Sequence, residues 1–257
     1  MSVDSYWSGV ILIGFTVTFA MAGVRLARKL LTAKTLIAEH SISGNFLTIV
    51  GTMYAVLLGL IVFDALSRFQ KTAFNVEYEA DKLNDIVYLG DRMPPEKRRR
   101  IRALANRYAE LVCDREWKAM SRGEHDPESR RTILQLMAQV RDWEPSTESE
   151  KAVYATSLVA ATELWNARRE RLLLSTQGIP ALEWVAVIVG GVVTVGMTYV
   201  FVLEDIHVQY ALTALVSLVV ALNIYLIVMF GYPFSGDLRV SSESFRNALT
   251  FFELTGE

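Results

Sequence analysis

Residues 45–64 read NFLTIVGTMYAVLLGLIVFD and carry no charge before the closing Asp64. About twenty such residues, wound as an α-helix, cross roughly 30 Å of hydrocarbon. The rest of the chain repeats the pattern. No charged residue lies between Asp4 and Arg25, between His40 and Asp64, between Glu183 and Glu204, or between His207 and Asp237. Helices in the core of a water-soluble protein seldom stay charge-free for so long. The runs therefore predict four membrane spans, near 7–24, 45–64, 183–203 and 208–231. The expected fold is an all-α membrane protein, with four transmembrane helices in two hairpins and a helical aqueous domain between spans two and three. Residues 1–66 form the first hairpin, 67–180 the domain, and 181–257 the second hairpin with a short C-terminal tail.

Across 257 residues, 26 Lys and Arg nearly balance 28 Asp and Glu, which gives no global bias toward nucleic acid. The head MSVDSYW carries an acid and no base, and the apolar run after it is longer than the core of a secretory signal, so the first run is expected to be retained. Cys113 is the sole cysteine, which rules out an intrachain disulfide and a thiolate metal site. His40, His125 and His207 stand in no metal-ligand spacing. No nucleophile elbow, phosphate loop or zinc-protease motif occurs, so no catalytic residue, metal or cofactor is expected and an enzymatic reading has no support.

The middle domain reads as helices only. Leu66, Phe69, Ala73, Val76, Ala80, Leu83 and Val87 alternate steps of three and four, so the second span is expected to continue into water as one helix ending at Gly90. A second helix follows on Ile101, Leu104, Tyr108 and Leu111. Asp126-Pro127 starts a third and Pro145-Ser146 with its acidic sequel a fourth, striped by Tyr154, Leu158, Ala161, Trp165 and Leu172. Arg68, Lys71, Arg168, Arg169, Arg171, Arg239 and Arg246 flank the membrane on the domain side, against Arg25, Arg28, Lys29 and Lys34 opposite. That excess places the domain in the cytoplasm. The stretch 25–40 reads as an amphipathic helix along the interface.

Several residues stand out within this frame. Gly51, Ala55 and Gly59 fall four apart on the second span; Ala186, Gly190, Thr194 and Thr198 do so on the third, Gly14, Thr18 and Ala22 on the first, and Thr213, Ser217 and Ala221 on the fourth. Small residues at this spacing let helices pack closely in lipid, within a subunit or between subunits, and such a face can also line a channel. Val56, Leu60 and Phe63 share another face of the second span and, with Asp64 at its end, are the candidate pore lining. Asp64 equally suits a helix end at the interface, and Asn223 an interhelical hydrogen bond. The run Lys97-Arg98-Arg99-Arg100 with Arg102 opposes its helix dipole and calls for negative partners. Glu77, Glu79, Asp81 and Asp85 are the nearest candidates and anionic lipid headgroups the next.

A set of short motifs resembles the bestrophin-like family of bacterial and plant membrane proteins. It comprises Gly51-Thr52-Met53-Tyr54-Ala55-Val56-Leu57-Leu58-Gly59, Glu79-Ala80, Tyr108 with Glu116-Trp117, Arg168 with Arg171-Leu172, Ile179-Pro180 with Trp184, and Pro233-Phe234-Ser235-Gly236. Through its distant likeness to bestrophins, which are pentameric anion channels, the resemblance implies a homo-oligomeric channel in the bacterial inner membrane. The acidic cluster that holds calcium in true bestrophins is missing after the fourth span, and Phe63 is the second span's one residue toward their aromatic neck. Glu116 and Trp117 are expected to be structural, Glu116 pairing with Arg168 or Arg171 and Trp117 packing on the fourth aqueous helix. The alternative to a channel is a membrane-anchored signalling scaffold that acts through the heptad helix and the basic run.

Overall fold

The computed structural model describes residues 5–30, 40–200 and 205–254, and among them it is all-helical. In chain order the helices are α1 (Tyr6–Leu30), α2 (His40–Gly90), α3 (Pro95–Leu111), a π-helical turn (Val112–Glu116), α4 (Trp117–Met120), α5 (Pro127–Arg141), α6 (Glu148–Thr176), α7 (Ala181–Val200), α8 (Ile206–Gly231) and α9 (Glu243–Leu254). Four helical segments, in α1, α2, α7 and α8, are long and apolar enough to cross a membrane. Most of the interfacial helix expected over 25–40 lies outside the described residues; α1 itself continues to Leu30.

The chain divides into two compact units, 1–69 with 179–238, and 70–178 with 239–257. In the first unit α1 packs on α8 and α7. Its inward face is Gly9, Ala20, Gly23 and Val24, whereas Gly14, Thr18 and Ala22 lie outward. The reason is ring insertion. A Cβ on Gly9 would lie 2.3 Å from the Tyr225 ring, and one on Gly23 would lie 2.5 Å from the Tyr199 hydroxyl, so two glycines receive two tyrosines. On α2 the inward residues are Tyr54, Leu58 and Ile61, clustered with Val187, Val220 and Ile227. The Tyr54 hydroxyl donates to the Val187 carbonyl at 2.8 Å, which satisfies it among apolar helices where water is absent. Buried Thr198, Gln209 and Thr213 of α7 and α8 also find partners. Thr213 donates to Thr198 (3.1 Å), Gln209 Nε2 to the Thr198 carbonyl (3.3 Å), and Arg28 Nε to Gln209 Oε1 (2.7 Å).

The second unit has an aliphatic and aromatic core that includes Leu83, Ile86, Ile101, Leu111, Ile133, Leu136, Leu164, Phe245 and Phe252, each 2% exposed or less. Burying a side chain of this size stabilises by about 1.5–3 kcal/mol. Its helix starts are encoded locally. Asp126 accepts from the Ser129 amide at 2.8 Å and begins α5 with Pro127 in its first turn, and Thr147 with Glu150 forms a capping box on α6. Backbone N–H groups of Ser146 and Thr147 hold the Glu150 carboxyl below its ordinary pKa. The C-terminal segment, expected as a tail, carries the amphipathic helix α9, whose Phe245, Ala248 and Phe252 are buried.

Candidate functional site

α2 runs from His40 to Gly90 without a proline. Because its exposed positions repeat at steps of three and four, one face stays outward along the helix. In the apolar part these are Ile49, Met53, Val56, Leu60 and Phe63, 56–70% exposed within the single subunit. The opposite face, Tyr54, Leu58, Ile61 and Ala65, is buried. In the part that belongs to the second unit, exposed Gln70, Phe74, Glu77, Asp81 and Tyr88 continue the same spacing, while Thr72, Val76, Glu79, Leu83 and Ile86 point inward. A face repeating every 3.5 residues is the form that suits left-handed supercoiled packing against like helices. Asp64 stands beside the apolar stripe, its side chain 49% exposed, and pairs with Arg68 one turn on at 2.6 Å.

What fixes α2 within the second unit is a buried ionic cluster. Glu79 accepts from Arg171 Nε at 2.6 Å and Nη2 at 3.0 Å, and from the Tyr108 hydroxyl at 2.5 Å. Arg171 Nη2 also donates to Glu116 at 2.8 Å, and the second Glu116 oxygen accepts from Arg168. Two carboxylates thus meet two guanidiniums, and none of the four is more than 3% exposed. The Arg171 guanidinium lies 5.5 Å from the Trp117 ring centre and 5.7 Å from that of Phe245. Burial alone would lower the Arg171 pKa, but the field of Glu79 and Glu116 reverses this and holds it well above its ordinary value. Burial, reinforced by Glu79, pushes the Tyr108 phenol up, so it stays a neutral donor.

Glu116 reaches the cluster through the π turn. The Trp117 amide donates five residues back to the Val112 carbonyl, and the extra residue in that turn shifts the register of everything after it. The Trp117 indole N–H donates to the Val240 carbonyl at 3.1 Å, and its ring meets Phe245 edge-on. Trp117 thus meets the Phe245 ring of α9 and, on α6, the helix expected from sequence, the Arg171 guanidinium.

A family model for the bestrophin-like domain matches residues 14–245. The chain belongs to the bestrophin-like family. Its fold is similar to a crystal structure of a mutant bacterial bestrophin homologue from Klebsiella pneumoniae, with a TM-score of 0.71, 13% identity, and coverage of 95% of this chain and 99% of that one. A second solved structure, of a mutant membrane protein, gives 0.70 and 12%, over 97% of this chain and 99% of that one. No curated protein matches in sequence. The bestrophin-like motifs found in the sequence supply the partners described above: Tyr54 in the α2 core, and Glu79, Tyr108, Glu116, Trp117, Arg168 and Arg171 in and around the ionic cluster.

The remaining candidates of this bestrophin-like protein fall as follows. Gly190 abuts Tyr54, whose ring would lie 2.4 Å from an added Cβ. Gly51 and Gly59 meet nothing within 4 Å of such an atom, because Tyr54, Leu58 and Ile61 take the inward face; Ala55 is exposed. Asn223 donates to the Val219 carbonyl of its own helix at 2.9 Å. The basic run is not compensated as expected from α2. Glu79 is committed to Arg171, and Asp85 pairs with Lys82 at 3.0 Å. Lys97 instead donates to the carbonyls of Gln139 and Asp142, and Arg102 to Asp91 and the Phe252 carbonyl, both at 3.1 Å. Arg98, Arg99 and Arg100 are exposed. Among the described residues no group of His, Cys, Asp and Glu is placed to hold a metal ion.

Proposed function

We propose that this protein is a homo-oligomeric ion channel of the bacterial inner membrane. Its spans form two hairpins, its middle domain lies in the cytoplasm, and its pore forms where α2 helices of several subunits, five by the resemblance to bestrophins, converge. The observation that carries this reading is the sidedness of α2. One apolar face is satisfied inside the subunit by Val187, Val220 and Ile227, and the other, Val56, Leu60 and Phe63 with Asp64 at its end, is left outward at regular spacing. Rings of such side chains around a symmetry axis gate by dewetting. Exposed Ala55 and Gly59, with half-buried Gly51 on the same helix, are small and suit close approach of neighbouring subunits. Exposed Arg98, Arg99 and Arg100 suit anionic headgroups.

The resemblance to bestrophins implies anions. A second reading, cation conduction, is favoured by one observation: the outward stripe of α2 carries exposed Glu77 and Asp81 and no Lys or Arg in register with them. Purified protein in planar bilayers under a salt gradient separates the two by the sign of the reversal potential. Single cysteines at Val56, Leu60 and Phe63, in a Cys113→Ser background, are expected to crosslink between subunits, and cysteines at Leu57 and Ile61 are not. A monodisperse monomer without conductance would overturn the channel and leave the scaffold reading in its place.

A further inference from the structure

In the second unit a surface pocket of about 460 Å³ is lined by His125, Arg130, Trp165, Arg168, Arg169, Leu172 and Leu173. Three guanidiniums and an imidazole line it, and no carboxylate does. Elsewhere in the unit the pattern is different: Arg107, Arg115, Arg122 and Arg141 each pair with an acidic side chain. Arg130 and Arg169 are exposed and form no salt bridge among the described residues. Arg168 is 3% exposed and gives Nη2 to Glu116, yet its Nε–H is buried with no acceptor among the described residues. A buried charged donor left unpaired is costly, and the residue that carries it lines this pocket.

We propose that this pocket binds a small carboxylate with an apolar body, such as an aromatic acid. Guanidinium forks match a carboxylate in two parallel hydrogen bonds, which exposed Arg130 and Arg169 can supply beside buried Arg168. Trp165, Leu172 and Leu173 form an apolar wall that a hydrated inorganic anion would leave unused. The site lies in the aqueous unit and does not depend on the pore reading.

The test is calorimetric titration of the purified full-length protein in detergent with benzoate, with inorganic phosphate and benzyl alcohol as separate arms. Benzoate is expected to bind saturably with Kd on the order of 1 mM, more weakly as salt rises, and phosphate and benzyl alcohol markedly less. Arg130→Gln and Arg169→Gln alter exposed side chains and leave the core intact; each is expected to weaken benzoate about tenfold or more. Trp165→Leu is expected to weaken benzoate and leave any phosphate binding unchanged. The proposal is overturned if benzoate shows no saturable heat, if phosphate binds as well as benzoate, if benzyl alcohol does, or if both arginine variants bind benzoate like the wild type.

Discussion

Replacing Arg171 by Met probes the ionic cluster most directly. The change keeps the length and apolar stem of the side chain but removes two hydrogen bonds to Glu79, one to Glu116, and the cation held against Trp117 and Phe245. One guanidinium, that of Arg168, then faces two fully buried carboxylates. Removing one partner of a buried pair costs about 3–5 kcal/mol, because the surviving charge is left unpaired. For a protein of this size that corresponds to a fall in melting temperature of about 6–20 °C. Thermal melts in detergent measure it. The double variant Glu79→Gln with Arg171→Met restores electrical balance and is expected to melt higher than the sum of the single effects by about 2 kcal/mol or more. Tyr108 adds a pH signature. Its folded pKa lies above the unfolded value, so its contribution is full below about pH 10 and falls as pH rises through the folded pKa. Melting should fall as pH rises above about 10, and fall less in Tyr108→Phe. A shift under about 2 °C for Arg171→Met, or strict additivity in the double variant, would refute the reasoning.

Trp117→Ala removes a buried ring and its bond to Val240 and should cost about 3–5 kcal/mol in the same melts; unchanged stability with altered conductance would make Trp117 a functional residue. Gly190→Ala places a methyl 2.4 Å from the Tyr54 ring, whose hydroxyl is tied to Val187, and should cost about 1–3 kcal/mol. Gly196→Ala, with nothing within 4 Å, should be near neutral, and equal effects would argue against close helix packing at Gly190. Burial raises the Cys113 thiol pKa, so maleimide should label it more slowly at neutral pH than it labels a cysteine introduced at exposed Leu173, measured by mass shift over time.

The features legible in the sequence were those written in one continuous stretch. Charge-free runs gave the four long apolar helices, the heptad from Leu66 to Val87 gave the unbroken α2, and Asp126-Pro127 gave the start of α5. What depended on partners distant in the chain was harder to read. Gly9 and Gly23 outrank Gly14, Thr18 and Ala22 on α1 only because Tyr225 and Tyr199 arrive from other helices, which spacing cannot reveal. Glu79 looked like a neighbour for the basic run until Arg171, ninety-two residues on, claimed it. The π turn leaves no mark in composition, since one extra residue per turn changes register without changing residue type. α9 was harder to read, although half of its residues are apolar, because it is short, follows a polar stretch and is buried by Tyr108 and Trp117, which lie far off in the chain.

The place of α9 in the chain orders events during synthesis. The second unit takes residues 70–178 and then 239–257, so all of 179–238, with both α7 and α8, leaves the ribosome before the unit can close. Until then Trp117 lacks the Val240 carbonyl, Tyr108 lacks the Phe245 ring, and one side of Arg171 stands open to water. The nascent chain can therefore keep Glu79, Glu116, Arg168 and Arg171 hydrated while its apolar helices are made, and dehydrates them only when α9 arrives.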